Sequence, residues 1–346
     1  MNEKLLPVRI DPVFFTYLWG GSLLKDLYQK DTPELTGESW EVSAHEKGKS
    51  CIVGGIYEGL NLMEYVGKIC EAQGLKKPKR FPLLIKLIGP KQQLSVQVHP
   101  DDEYGYANER EPGKAEAWVV LSAPEDAKLI IGVKDDKETF KKAIQNDDIE
   151  SSLRYIPVKT GDVICIPAGL VHALSAGVVV YEVQQNSNTT YRLYDWKRVD
   201  QKTKQPRELH IDKALDVIDF DMKGGLTEGI TMEERGGKRN VLAATDKYTL
   251  ERIYVEGCWQ DDLAAVVNTP DFPAYTVIEG SGKVISKDGT VFEVALGQTF
   301  IAPPLSEPWM FSGQATLIKG SCPDVAVVRD YLKKHDVKDI HEVFGL

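Results

Sequence analysis

The sequence contains few cysteines, no long apolar run and no cluster of basic residues. Its five cysteines, at positions 51, 70, 165, 258 and 322, are odd in number and well separated. This pattern argues against a disulfide framework or a cysteine-based zinc knot and is typical of a protein in a reducing compartment. The apolar stretches, such as Phe81–Ile85, have the length of strands and fall far short of the ~20 residues that a membrane-spanning helix needs.

The balance of charge also argues against several partners. The 346 residues include 52 acidic and 42 basic side chains, for a formal net charge of −10. Because no run of lysine and arginine stands out, we expect no nucleic-acid partner and no anionic membrane partner. The N-terminal residues lack an apolar core of signal-peptide length, so we expect a cytoplasmic protein.

Two β-rich blocks of the sequence look related. Gly161 is followed by five residues and Pro167, and Gly297 by five residues and Pro303, at a constant offset of 136 positions. Short runs of β-branched and aromatic residues, separated by glycine, proline and aspartate, surround both turns. We therefore predict a mainly β protein with two related units, the first interrupted by a short helical insert near residues 135–156.

A few short helices are predicted outside the β-rich blocks. Apolar residues at helical spacing follow Asn61, which we expect to cap that helix, and a second helix over residues 210–220 should be capped by Asp212. A third amphipathic helix is expected near the C-terminus of the sequence. The polar, glycine-rich segment 221–240 predicts a linker between the two units.

Polar residues occupy one face of a predicted strand in the first unit. In the segment LSVQVHP, alternation places Ser95, Gln97 and His99 on one face and Val96 and Val98 on the other. A polar face opposite a valine face predicts that the polar side chains line either water or a site.

The same alternation adds a carboxylate to these residues. Lys114 and Glu116 share a face of the next strand, and His172 follows the glycine–proline turn. Two histidines and a glutamate are a plausible set for catalytic zinc with an open coordination position, and the Gln97 amide is a possible weaker fourth ligand. His99 alone or His172 alone would more often be an ordinary half-buried histidine, but the set favours a metal.

Several stretches resemble known proteins. The glycine–proline turn before His172 resembles the second signature of the cupin β-barrels. Over some 200 residues the sequence more specifically resembles the type I mannose-6-phosphate isomerases, in their shorter bacterial form. The stretches that carry this resemblance are YLWGG (17–21), GESWEVSAHE (37–46), FPLLIKLIGPKQQLSVQVHPDDEYG (81–105), GKAEAW (113–118), GDVICIPAGLVHAL (161–174), QQNSNTTYRLYDW (184–196) and ELHIDKALDVI (208–218).

The resemblance implies a fold, a reaction and a cofactor. The fold would be two cupin-like, jelly-roll-type β-barrels. The reaction would be the zinc-dependent interconversion of mannose 6-phosphate and fructose 6-phosphate through a cis-enediol intermediate. The family's zinc ligands match Gln97, His99, Glu116 and His172, for one Zn²⁺ per chain.

The resemblance also assigns side chains to the substrate. Arg192 matches the family's catalytic arginine, and we expect Lys114 to act with it in catalysis. The positions that match substrate-binding residues of the family are Ser95, Lys86 and Glu182. We expect a small-molecule sugar phosphate as the partner of the site, and a protein that is a monomer or a weak homodimer.

Domain boundaries and two alternative functions complete the predictions. We expect a catalytic, metal-binding cupin domain at residues 1–240 and a degenerate cupin-like domain at 241–346. One alternative is another metal-dependent cupin enzyme such as an oxygenase, and the other is a non-catalytic cupin that binds sugar phosphates. Cupin oxygenases commonly use a His-x-His pair and redox-active iron, whereas Gln97 stands two residues before His99 here, which favours zinc and non-redox chemistry. The identity of the general base and the ligand role of Gln97 stay open at this point.

Overall fold

The fold is built almost entirely from antiparallel strands. The computed structural model describes residues 5–199, 204–263, 271–322, 324–335 and 337. These residues form 23 strands, six α-helices and two short 3-10 helices, which confirms the predicted mainly β class. None of the helices among them has both the length and the apolar character needed to cross a bilayer.

The elements are numbered in chain order. The first strands and helices are β1 (Val8–Asp11), β2 (Val13–Gly21), α1 (Leu23–Tyr28), β3 (Thr36–Val42), β4 (Ala44–His45), β5 (Gly48–Lys49), β6 (Cys51–Val53), α2 (Leu62–Gln73), β7 (Leu83–Ile88), β8 (Val96–Val98), α3 (Asp102–Asn108), β9 (Glu116–Ser122) and β10 (Lys128–Val133). The middle of the chain forms α4 (Lys137–Gln145), β11 (Leu153–Pro157), β12 (Val163–Ile166), β13 (His172–Ala173), β14 (Val179–Gln185), β15 (Tyr191–Tyr194) and α5 (Ile211–Val217). The last elements are β16 (Leu226–Thr227), β17 (Ile230–Glu234), β18 (Gly237–Ala244), β19 (Thr249–Trp259), β20 (Ala274–Ser286), β21 (Val291–Ala295), β22 (Thr299–Ile301), β23 (Trp309–Ser321) and α6 (Val325–Lys334).

Three large sheets and one small hairpin contain these strands. A seven-stranded sheet has the order β16-β12-β9-β14-β7-β3-β2, and a five-stranded sheet has the order β11-β10-β13-β8-β15. A nine-stranded sheet has the order β17-β18-β19-β23-β20-β22-β1-β6, with β21 beside β20. This last sheet takes strands from both sides of residue 240, and the predicted boundary there and the two-barrel description stay predictions.

The inner strands of the seven-stranded sheet are buried on both faces. One face packs on the five-stranded sheet, where Trp118 and Val180 join Leu129 in a common core. The other face packs on the nine-stranded sheet, where Ile85 joins Ile318 in a second core. Because both faces are covered, strands β7 and β14 have nearly continuous apolar sequences, as expected of strands inside a sandwich.

Local sequence signals predict the helix α2 correctly. The Asn61 side chain accepts a hydrogen bond from the Glu64 N–H, and the Glu64 carboxylate accepts one from the Asn61 N–H. This reciprocal capping satisfies two N–H groups that the first turn of a helix leaves unpaired. The buried side chains Leu62, Tyr65 and Ile69 lie on the predicted face. The predicted insert also forms, as α4 and the 3-10 helix that follows it.

Two other local predictions are wrong. Helix α5 begins after His210 and has no side-chain cap, so Asp212 lies inside the first turn instead of capping it. The predicted linker 221–240 forms β16, β17 and the start of β18. Ile230 and Met232 alternate inward along β17 and are buried, and Gly229 and Gly236, both with positive φ, lie in the connections before and after that strand. Glycine content therefore marks tight turns here.

A buried ion pair connects the N-terminal strands to the nine-stranded sheet. The Lys30 ammonium lies 2.8 Å from Glu41 Oε1, and both side chains are almost fully buried. The same ammonium donates to the Gly297 carbonyl oxygen at 2.7 Å, and the Thr299 hydroxyl donates to Glu41 at 3.1 Å. The Lys30 ammonium, from the N-terminal part of the sequence, thus stabilises the left-handed turn at Gly297 (φ 80°).

We predict that the substitution Lys30→Met destabilises the fold by about 3–5 kcal/mol, because Glu41 is left charged and unpaired in the interior. The measurement is the free energy of unfolding in urea at neutral pH. The control is Lys283→Met, which removes an exposed ion pair with Glu293 and should cost less than about 1 kcal/mol. Similar small losses in the two variants would contradict the prediction.

Candidate active site

Strand pairing in the five-stranded sheet brings three predicted site residues side by side. Gln97 lies in the middle of β8, which runs between β13 and β15. His172 is its register partner in β13, and Arg192 is its register partner in β15. His99 follows one residue after β8 ends and continues the same face.

The facing sheet contributes a carboxylate to this group. Glu116 is the first residue of β9 in the seven-stranded sheet, and its side chain is fully buried. Its Oε1 lies 3.3 Å from His172 Nε2, and its Oε2 lies 3.5 Å from His99 Nε2. Each of the three residues offers one ligand atom, and these atoms lie within 4.8 Å of one another. No other group of three or more such donors occurs in the part of the chain that the structure describes.

The hydrogen bonds around this group fit a metal ion. His99 Nδ1 lies 2.9 Å from the Thr189 carbonyl oxygen, and His172 Nδ1 lies 2.8 Å from the Leu170 carbonyl oxygen. Because a carbonyl oxygen only accepts, each Nδ1 carries the proton and each Nε2 presents a lone pair towards Glu116. Neither Glu116 oxygen accepts a hydrogen bond of good geometry. Two imidazole lone pairs and a carboxylate are a donor set that binds a divalent metal.

Gln97 lies beside the three donors. Its Nε2 is 3.3 Å from His172 Nε2, and its Oε1 is 3.4 Å from the Ser95 hydroxyl. The nitrogen and oxygen of a glutamine amide exchange places by a half-turn of the side chain, and the assignment follows the hydrogen-bond network. A half-turn would put the oxygen, the ligand atom of an amide, next to His172.

Lys114 brings a positive charge to the same place. Its ammonium lies 2.9 Å from Glu116 Oε2 and 3.0 Å from His99 Nε2, and the side chain is buried. Burial alone would raise the pKa of Glu116, but its polar neighbours, chiefly the Lys114 ammonium, hold that pKa well below its usual range. Burial and the Lys114 charge lower the pKa of His99 well below its usual value. The carboxylate is therefore ionised and the imidazole neutral, which are the states that bind a metal.

A cavity of about 340 Å³ opens beside these residues. Six of the predicted site residues line it: Lys86, Ser95, Gln97, Lys114, Glu182 and Arg192. The structure thus brings the predicted substrate-binding and catalytic side chains to one cavity, next to the three candidate metal donors.

One wall of the cavity contains a triad of charged side chains, of which Lys86 and Glu182 are buried and Glu38 is partly exposed. Lys86 of β7 is the register partner of Glu182 in β14, and its ammonium lies 3.0 Å from Glu182 and 3.8 Å from Glu38. Burial opposes the charge, but Glu182 and Glu38 outweigh burial and raise the pKa of Lys86 above its usual value. The indoles of Trp118 and Trp40 donate to Glu182 at 2.8 Å and to Glu38 at 2.6 Å. Both carboxylates are therefore fixed in place at the cavity wall.

Arg192 approaches the cavity from the five-stranded sheet. Its Nε donates to the Ser95 hydroxyl at 3.3 Å, and one terminal nitrogen donates to the Glu208 carbonyl oxygen at 2.8 Å. Among the described residues, no carboxylate lies within 4.0 Å of its guanidinium; Asp195 pairs instead with Arg198 and Arg207. Two neutral oxygens, those of the Ser95 hydroxyl and the Glu208 carbonyl, therefore position the Arg192 guanidinium, and no ion pair neutralises its charge.

The sequence analysis missed three charged residues of the cavity wall, Glu38, Lys47 and Arg207. Glu38 shares a face of β3 with Trp40, so alternation within GESWEV could have indicated it. Trp40 is buried in the core and also lines the cavity. Arg207 lies in a loop outside the strands, and its Nε donates to Asp195 at 2.7 Å. No local pattern marks a loop arginine of this kind.

Comparisons with known proteins agree with this geometry. The family model described as "Phosphomannose isomerase type I, catalytic domain" matches residues 8–147. The chain is 34% identical to the mannose-6-phosphate isomerase of Streptococcus mutans, over 87% of this chain and 93% of that protein. It is 37% identical to the mannose-6-phosphate isomerase ManA of Bacillus subtilis, over 81% of this chain and 88% of that protein.

A solved structure gives the same result. The crystal structure of a mannose 6-phosphate isomerase from Bacillus subtilis matches with a TM-score of 0.84 and 34% sequence identity. The match covers 91% of this chain and 99% of that structure. The fold and the site thus define a mainly β enzyme whose donor set can hold a metal ion. The chain belongs to the type I phosphomannose isomerase family.

We predict that the substitution His172→Ala removes the metal, because only one imidazole and one carboxylate of the three donors then remain. The metal content of purified protein after dialysis, measured by elemental analysis, should fall from about one equivalent to under about a tenth. The control is His335→Ala, which changes an exposed histidine just after α6 and should leave the metal content unchanged. Full metal content in the His172→Ala protein would remove this residue from the metal site.

Proposed function

We propose that the protein is a zinc-dependent aldose–ketose isomerase that interconverts mannose 6-phosphate and fructose 6-phosphate through a cis-enediol intermediate. The two mannose-6-phosphate isomerases compared above are 34% and 37% identical to this chain over the aligned residues. The observation that carries the proposal is the convergence of His99, Glu116 and His172 beside a polar cavity with cationic residues in its wall. A sugar phosphate needs both a polar wall for its hydroxyls and cations for its phosphate.

Zinc is the metal that the donor set favours. Catalytic zinc commonly has three protein ligands drawn from histidine and carboxylate and keeps one position open. In our proposal His99, Glu116 and His172 are these ligands, and the oxygen of the Gln97 amide is a weaker fourth. When bound, the ion polarises substrate oxygens and stabilises negative charge that develops on them.

Arg192 stabilises the charge of the intermediate in this proposal. The isomerisation moves a proton between C1 and C2 of the sugar and passes through an enediolate, whose negative charge must be balanced. The Arg192 guanidinium is held by Ser95 and by the Glu208 carbonyl, and no carboxylate of the described residues pairs with it. A preorganised cation in a partly buried site stabilises developing charge more strongly than the same cation in water.

Lys114 transfers protons between oxygens in this proposal. Its ammonium is buried, lies 2.9 Å from Glu116 and lines the cavity beside the metal donors. From that position it can donate a proton to one substrate oxygen and recover one from the neighbouring oxygen. Positioned acid–base groups of this kind contribute roughly 10²–10⁴-fold to a reaction rate.

In our proposal the triad of Lys86, Glu182 and Glu38 binds the sugar hydroxyls. Lys86 is held between Glu182 and Glu38, so its charge is neutralised where it lies. In our proposal Lys86 keeps both carboxylates ionised and oriented, and these carboxylates accept hydrogen bonds from the hydroxyls of the sugar. The Ser95 hydroxyl, which lies between Gln97 and Arg192, completes the substrate contacts.

The phosphate group faces the remaining cations of the cavity. Arg198 and Arg207 both pair with Asp195, which leaves this cluster with one net positive charge. Arg207 and the exposed Lys47 line the cavity. Because Lys86 is neutralised by carboxylates, we place the phosphate at Arg207 and Lys47, where a guanidinium can bind a phosphate with two parallel hydrogen bonds.

We predict that the zinc-loaded protein forms fructose 6-phosphate from mannose 6-phosphate, with a turnover number in the range of about 1–10³ s⁻¹ that enzymes usually show. A coupled assay of fructose 6-phosphate measures it, and mannose without phosphate is the control substrate, which should react far more slowly. Tight binding of the sugar phosphate without turnover would contradict an isomerase and would support a non-catalytic binding protein.

We predict that the substitution Arg192→Ala retains zinc and lowers kcat by about 10²–10³-fold, since it removes a charge that acts on the intermediate. Elemental analysis and the coupled assay measure the two effects on the same preparation. Arg192→Lys is the matched control, because it keeps the charge without the planar fork and should recover part of kcat. An unchanged kcat in the alanine variant would exclude Arg192 from the reaction.

A further inference from the structure

A turn from the C-terminal half of the chain contacts the start of β9, where Lys114 and Glu116 lie. This turn consists of residues 245–248 and joins β18 to β19. The Tyr248 hydroxyl donates to the main-chain carbonyl oxygen of Glu116 at 2.8 Å, and both residues are buried. The Lys247 ammonium lies 2.9 Å from Asp102 Oδ2. More than 130 positions along the sequence separate Glu116 from the tyrosine that contacts it.

Asp102 links Lys247 to the main chain that precedes β9. Its Oδ1 accepts hydrogen bonds from the Gly113 N–H at 2.8 Å and from the Gln185 side-chain amide at 2.9 Å. The oxygen of the same Gln185 amide accepts from the Ala115 N–H at 3.0 Å. The main chain on both sides of Lys114 is therefore fixed by a network that begins at Lys247.

We propose that Tyr248 and Lys247 are positioning residues of the active site, which hold the main chain of Glu116 and Lys114 in the geometry that the metal and the substrate need. The inference rests on the proposed metal-binding role of Glu116. It gives the C-terminal half of the chain a part in catalysis although, among the described residues, its side chains contribute no donor to the metal group.

Physical reasons favour a positioning role over simple packing. A metal site tolerates only small errors in ligand placement, and groups that orient a ligand typically change metal affinity by about 10–100-fold when they are removed. Glu116 is the first residue of β9 and pairs in register with Ile166 of β12 and Gln184 of β14, so it lies where both ladders of the strand begin. The hydrogen bond from Tyr248 fixes the carbonyl of the same residue that provides the carboxylate.

The same core contains a matched control. Tyr65 belongs to the same hydrophobic cluster as Tyr248, and it is fully buried. Its hydroxyl has no hydrogen-bond partner in the structure. Tyr65→Phe therefore removes a buried hydroxyl from this core without removing a contact to the site, whereas Tyr248→Phe removes the contact to Glu116.

The experiment compares Tyr248→Phe with Tyr65→Phe in the full chain. Zinc affinity is measured by competition with a chromophoric chelator, and the visible absorption spectrum of the Co²⁺-loaded protein reports the ligand geometry. We expect Tyr248→Phe to weaken zinc binding by about 10–100-fold and to change the Co²⁺ spectrum. It should lower kcat more than it changes KM. Tyr65→Phe should match the unsubstituted protein in all three measurements.

Three outcomes decide the inference. An unchanged zinc affinity and Co²⁺ spectrum in Tyr248→Phe would overturn it, and so would equal losses in the two phenylalanine variants. If Tyr248→Phe fails to fold, Lys247→Ala replaces it, since Lys247 is partly exposed; a loss of several-fold in zinc affinity supports the inference, and no loss overturns it. If the unsubstituted protein binds no zinc, the proposed function itself fails, which is a distinct result.

Discussion

The buried charge of Glu116 is the constraint on which the rest of the site depends. A carboxylate without exposure to water is very unfavourable unless nearby groups compensate it. Here the Lys114 ammonium lies against one oxygen, and the Nε2 atoms of His99 and His172 face the pair of oxygens. The carboxylate stays ionised while both imidazoles present lone pairs, so the arrangement has a strong attraction for a divalent cation.

This constraint also explains why the site lies between two sheets. His172 belongs to the five-stranded sheet, His99 directly follows its strand β8, and Glu116 belongs to the seven-stranded sheet, so neither sheet alone can assemble the donors. The packing of the sheets against each other sets the distances between the donors. Trp118 contributes to that packing directly, because its ring meets the His172 ring edge to face at 5.4 Å and its indole N–H holds Glu182. Trp118 therefore connects the metal donors, the cavity wall at Glu182 and the core.

The features that were predictable from the sequence are those that local rules control. Alternation along a strand placed Gln97 and His99 on one face, and a reciprocal cap between Asn61 and Glu64 set the start of α2. The features that were missed depend on packing between distant segments. Tyr248 reaches Glu116 only because the nine-stranded sheet packs on the seven-stranded sheet, and nothing in the neighbouring sequence indicates that contact.

The C-terminal half shows how a cluster of buried charges differs from a site. Arg239 and Lys319 lie within ion-pair distance of Glu251 and Asp261, and all four side chains are buried. Arg239 and Lys319 pair with both carboxylates, and no imidazole of the described residues offers a lone pair beside them. The repeat of the sequence places Pro308 where the first unit has His172, and a proline side chain cannot ligate a metal. Among the described residues, those after position 240 contribute no donor to the metal group, but they still contact it from outside, as the hydrogen bond from Tyr248 to the Glu116 carbonyl shows.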